Sequence, residues 1–77
     1  MTKQNFYNLL AKEMGIANNN MNEETDLESL EGWDSWTILV VMKFVDDSFK
    51  VNLTADDFKE MKTIGDLMDK IGRQNIE

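Results

Sequence analysis

Seventy-seven residues make one small domain, which on the usual surface scaling buries about 60–65% of what its unfolded chain exposes and leaves no room for a deep catalytic cleft beside a core. The chain has no cysteine and no histidine, so disulfides, thiolates, the commonest metal ligand and the commonest general base are absent, and most enzyme chemistries go with them. The net charge of −7 argues against nucleic acid as a partner, because neutralising phosphates takes a basic surface.

In chain order, residues 3–14 have the pattern of an amphipathic helix, with Phe6, Leu9, Leu10 and Met14 on one side and Lys3, Gln4, Asn8 and Lys12 elsewhere. Thr2 is placed to cap its start and Gly15 to end it. From Ile16 to Trp33 the chain carries Asn18, Asn19, Asn20 and Asn22, types that favour turns. A connection of that length is uncommon in a compact domain. Ile16, Met21, Leu27 and Leu30 are spaced to reach back onto a bundle, so a long packed crossover is expected. Residues 21–47 hold eight acids against one base, Lys43, which accounts for the whole charge excess. Such a field, centred on Ser35, would steer basic partner surfaces toward it, although a solvated acidic loop is the plainer reading of the same run.

Asp34 is a strong N-cap type, so a helix is expected from Ser35 to Phe49. Ser35 then occupies the first helical position, among free backbone N–H groups at the positive end of the helix dipole. An attached phosphate is favoured there by about 0.3–1 kcal/mol at an exposed site. At about 100° per residue, Ile38, Val41, Met42, Val45 and Phe49 form a broad core face with Leu39 at its edge. On the opposite side, Trp36, Val40, Lys43 and Asp47 follow at spacings of four, three and four and form a narrow stripe.

The segment Lys50-Val51-Asn52-Leu53 reads as extended or irregular. Thr54 with Asp57 has capping-box spacing and opens a short helix over 55–61, with Phe58 and Met61 inward. Thr63 with Asp66 repeats the device for a last helix over 64–71, with Ile64, Leu67, Met68 and Ile71 on its core side and Gly72 past its end. Residues 73–77 are expected to fray. The expected fold is therefore all-α: a single domain over 1–77, a four-helix bundle of three longer helices plus a short third, with a long loop between the first and second. No apolar run approaches the roughly 20 residues of a membrane span, and no signal-peptide core opens the chain, so a cytoplasmic monomer is expected.

These residues resemble the acyl carrier proteins, and more broadly the phosphopantetheine-binding carrier domains, over nearly the whole chain. The likeness rests on Gly15 ending the first helix, the long acidic loop, Asp34-Ser35 opening the second helix, Phe49 ending it, Leu53, and Met61-Lys62-Thr63-Ile64-Gly65-Asp66-Leu67. An Asp-Ser pair alone is common by chance. At the start of the second of four such helices, with Thr63-Ile64-Gly65-Asp66 at this distance, it is specific. The resemblance implies that Ser35 receives 4′-phosphopantetheine from coenzyme A through a separate magnesium-dependent phosphopantetheinyl transferase, which Asp34 helps to dock. The thiol of the arm would carry acyl groups as thioesters between acyl-loading and acyl-processing enzymes with basic surfaces, and the domain itself would catalyse nothing. It further implies that Trp36, Val40, Lys43 and Asp47 face partner enzymes. Ile38, Val41, Val45, Leu53, Phe58, Met61, Ile64, Leu67 and Met68 would line a space for the acyl chain, although as residues alone they are simply core positions.

The chain departs from the family pattern at three of these places. Trp36 replaces the common leucine or methionine after the serine, and Val40 occupies a place that is often acidic. These changes point to partners that read shape and an aromatic anchor more than charge, unless Trp36 folds back against Leu30 or Trp33. Phe58 stands where a small residue is common, which implies a narrower interior and a short or polar cargo. By analogy, the Trp33-Asp34-Ser35 wording looks more like freestanding carriers of specialised lipid, polyketide or surface-glycan pathways than the main fatty-acid carrier. A peptidyl or aminoacyl carrier and a non-carrier helical adaptor are the alternatives. A calcium loop is not, since from Asp26 the fifth position is Leu30 and the sixth is Glu31 where glycine is required.

Overall fold

In the computed structural model, which describes residues 1–17 and 21–76, every α-helix begins on a side-chain oxygen that accepts a backbone N–H of its first turn. Helix α1 (Lys3–Met14) starts on Thr2, whose Oγ1 accepts from the Asn5 N–H at 3.1 Å. Helix α2 (Ser35–Phe49) starts on Asp34. Helices α3 (Ala55–Glu60) and α4 (Ile64–Ile71) start on complete capping boxes, Thr54 with Asp57 and Thr63 with Asp66. The bounds of α1, α2 and α4 are those expected from the sequence. Helix α3 stops one residue early, because Met61 turns to extended backbone and leads Lys62 and Thr63 alongside the crossover. The expected turn at Asn18, Asn19 and Asn20 lies outside the described residues.

The long connection is packed, as expected, and α4 is what holds it. The Gly65 N–H donates to the Glu23 carbonyl at 2.8 Å and the Ile64 N–H to the Thr25 carbonyl at 3.0 Å, while the Leu27 N–H donates to the Lys62 carbonyl at 2.9 Å. A single antiparallel bridge between Asp26 and Thr63 lies among them. Orphan donors of the first turn of α4 are thus satisfied by crossover carbonyls, and Met21 and Leu27 are buried beneath. Residues Leu27–Ser29 add a short 3-10 turn. The approach is close enough that a Cβ on Gly65 would lie 3.0 Å from the Glu23 carbonyl oxygen. Gly65→Val is therefore expected to destabilise the domain by about 1–3 kcal/mol, read as a lower urea midpoint. An unchanged midpoint would mean that the crossover is not clamped here.

The fraying expected at 73–77 does not occur over the described part of that segment. Arg73–Asn75 form a 3-10 turn and Ile76 is buried. The Arg73 guanidinium donates to Asp69 at 2.6 Å and to the Gly65 carbonyl at 3.3 Å, and it also pairs with the Glu23 carboxylate, which Lys3 meets at 2.9 Å. One planar fork thereby ties the end of the chain to α4 and the crossover.

Beneath these ties, Phe6, Leu10, Leu27, Val41, Val45, Ile64, Leu67 and Met68 are fully buried. Packing of α1 turns the inward face of α2 toward Phe44, which is buried with Val41 and Val45, while Ile38, Met42 and Phe49 are half-buried. Leu39, expected at the core edge, lies outside it and is 55% exposed.

The caps carry a pH dependence. Backbone N–H groups of Thr37, Thr54 and Lys62 hold the carboxyls of Asp34, Asp57 and Asp66, respectively, below the usual carboxylate range, and hydrogen bonds from Lys3 and Arg73 do the same for Glu23. A carboxyl depressed in the folded state contributes stability above its unfolded value and loses it as pH falls through the folded one. The urea midpoint is accordingly expected to fall as pH drops below about 4, the unfolded carboxylate range. A midpoint flat down to pH of about 2 would contradict this reading.

Candidate functional site

Ser35 is the first residue of α2, exposed, and no hydrogen bond among the described residues engages its hydroxyl. Its surroundings are fixed by two bonds through Thr37. The Thr37 N–H donates to Asp34 Oδ1 at 3.0 Å, and the Thr37 hydroxyl reaches back to the Gly32 carbonyl at 2.6 Å. Gly32 stands at φ 73°, a left-handed conformation that glycine adopts without penalty, and it lets the chain double back so that both bonds form. Trp33 anchors the turn from below, its ring 6.2 Å from that of Phe58 on α3. The result is a hydroxyl presented outward from a turn tied at both ends. The Asp34 carboxyl is held ionised chiefly by the Thr37 N–H. Asp34 therefore accepts within the cap and adds negative charge beside the serine.

A protein-family model described as the phosphopantetheine attachment site matches residues 4–71, from the first turn of α1 to the last residue of α4. The chain belongs to the phosphopantetheine-binding carrier family. No curated protein and no solved structure matches it. Domains of this family are sites of covalent 4′-phosphopantetheine attachment, and they work with a phosphopantetheinyl transferase and further partner enzymes. Among the described residues no helix is long and apolar enough to cross a membrane, and no group of three or more His, Cys, Asp or Glu side chains could hold a metal ion.

On this carrier domain the stripe along α2 is present but wider than spacing alone suggests. Trp36 is 73% exposed and does not fold back. The indole that packs against the bundle is Trp33. Lys43 and Asp47 pair with each other at 3.5 Å, and Val40 is half-buried. Leu39, expected at the edge of the core face, instead joins Trp36 one turn on, because the buried face of α2 is centred on Val41, Phe44 and Val45. Val40, Lys43 and Asp47 also line a groove of about 390 Å³ that α1 completes with Leu9 and Glu13, with Phe44 and Ser48 filling out its wall.

The nine residues expected to line an acyl space are brought together as packed core. Val41, Val45, Ile64, Leu67 and Met68 are fully buried, Leu53, Phe58 and Met61 nearly so, and Ile38 is half-buried. Met61 also borders a surface cleft of about 480 Å³ between the 3-10 turn of the crossover and the end of α3. Thr37 is the site residue that spacing does not single out. Its position three residues after an Asp N-cap is the available signal, since that N–H is the one an N-cap carboxylate takes.

Proposed function

We propose that this domain is an acyl carrier protein whose 4′-phosphopantetheine arm is attached to Ser35 and carries acyl groups as thioesters between partner enzymes. The observation that carries this reading is the exposed, unengaged hydroxyl of Ser35 at the start of α2, within a chain whose family match spans all four helices. The arm supplies the thiol that a sequence without cysteine lacks. In the transfer, Ser35 Oγ forms the bond to phosphorus as coenzyme A loses its nucleotide half, and the phosphodiester that remains is an anion at the favourable end of the helix dipole. Asp34 keeps the turn in shape and adds an acidic contact for the transferase, while Trp36, Val40, Lys43 and Asp47 face the enzymes that load and process the cargo.

Phe58, buried and in ring contact with Trp33, fills space beneath the serine turn, which supports a narrow interior and a short or polar acyl cargo. The nine interior residues would then act mainly as core, with Leu53, Phe58 and Met61 the walls nearest α3. The test is mass spectrometry of the chain after incubation with coenzyme A, magnesium and a broad-specificity transferase, followed by peptide mapping. Ser29 and Ser48 are internal controls. The Ser29 hydroxyl is bound to the Asp26 carbonyl at 2.6 Å, and Ser48 is exposed but sits in the last turn of α2, where the dipole is negative. The phosphopantetheine mass is expected on the Ser35 peptide, and its appearance on either other serine would overturn the assignment.

A further inference from the structure

We propose that Trp33 and Phe58 are the specificity-determining pair of this carrier: their rings close the seam between the serine turn and the core, so that the domain takes short or polar acyl groups and does not enclose a long alkyl chain. The proposal rests on the carrier reading above and says which cargo that reading admits. Trp33 stands two residues before Ser35 and is half-buried, and Phe58 is the buried side chain of the short helix α3. Their ring centroids are 6.2 Å apart, with 41° between the planes. Aromatic rings at such a separation attract each other beyond what area burial supplies, so the seam is held shut as well as filled.

The surroundings of the seam act in the same direction. Inside it, Val41, Val45, Ile64, Leu67 and Met68 are each 0% exposed. Protein interiors hold few voids larger than a water molecule, so an alkyl chain enters such a core only by displacing side chains. Outside it, the cleft of about 480 Å³ where the crossover meets the end of α3 is lined by Asp26, Glu28, Ser29, Lys59 and Lys62, with Met61 as its apolar wall. Carboxylates, a hydroxyl and ammonium groups can pair with a polar acyl group, whereas an alkyl chain laid against them desolvates charges without return. A long chain is disfavoured in both places, and a short or polar one in neither.

The test loads Ser35 from acetyl- or octanoyl-coenzyme A with magnesium and a broad-specificity transferase, then unfolds each product in urea. In the unmutated chain the two forms are expected to unfold with equilibrium constants within about twofold of each other, because neither acyl group is buried. Each methylene moved out of water is worth about fourfold in such a constant. Phe58→Ala opens room for several methylenes, so its octanoyl form is expected to resist unfolding better than its acetyl form by roughly tenfold or more. Phe58→Leu, with room for about one, is expected to gain about fourfold, and it carries the comparison if acetylated Phe58→Ala does not fold. The Trp33 indole N–H resonance, assigned with the help of Trp36→Phe, is expected to move with chain length in the variants and to stay fixed in the unmutated chain. A comparable gain from octanoyl in the unmutated chain would overturn the proposal, and so would folded variants whose stability and Trp33 resonance ignore chain length. The carrier reading fails separately, if no acylated arm is added to Ser35 at all.

Discussion

Ser35→Ala is expected to abolish labelling by coenzyme A and transferase completely while leaving the fold intact. The two halves of that expectation have different physical sources. Loss of labelling follows because the substitution removes the exposed, unengaged hydroxyl at the start of α2, and neither Ser29 nor Ser48 shares its setting. Retention of fold follows because the Ser35 hydroxyl makes no hydrogen bond among the described residues, while alanine is the best helix former at an exposed helical position. The cap survives, since it runs from the Asp34 carboxylate to the Thr37 N–H and from the Thr37 hydroxyl to the Gly32 carbonyl. Intact-mass spectra and a urea titration on the same preparation check both halves. A labelled Ser35→Ala chain would place the attachment site elsewhere. An unlabelled but unfolded one would mean that the hydroxyl is structural.

Most of this arrangement is legible in the sequence, and what is not has identifiable causes. Local signals were enough for the helices: Thr2, Asp34, Thr54 and Thr63 each mark a start by the chemistry of a side-chain oxygen three residues from the N–H it accepts. What such signals cannot convey is tertiary direction. Leu39, expected at the core edge, is in solvent, and Phe44, which the spacing places on neither face, is buried, because the inward face of α2 is set by where α1 lies, and that depends on aromatic contacts of Phe6 with Phe44 and Phe49, each at 6.1 Å. The chain end is a second case. A terminal segment without periodicity reads as frayed, but Arg73 finds carboxylates at Asp69 and Glu23, the second of them 50 residues away in sequence. The Thr63-Ile64-Gly65-Asp66 segment is a third, where a family likeness was visible before its reason. The Ile64 and Gly65 N–H groups donate to crossover carbonyls, and the small residue at Gly65 allows the backbones to meet.

Phe6→Ala is expected to be the most damaging core substitution and to separate folding from chemistry. Phe6 is fully buried, with ring contacts to Tyr7 in its own helix and to Phe44 and Phe49 of α2 at 6.1–6.2 Å. Truncating such a side chain costs about 3–5 kcal/mol in transfer and cavity terms. A domain of this length has roughly 4–12 kcal/mol in total, by the usual per-residue range, so the loss removes about a quarter of the stability at the least and all of it at the low end of that range. Its labelling is expected to fall with the folded fraction and to recover on adding an osmolyte that favours burial, because Ser35 and its cap are chemically untouched. Ser35→Ala recovers nothing under the same treatment. Exposed Leu39→Ala serves as the stability control, with a change within about 0.5 kcal/mol. If Phe6→Ala labelled at the full rate while unfolded, the transferase would be reading the local sequence around Ser35 and not the presentation of its hydroxyl at the head of α2.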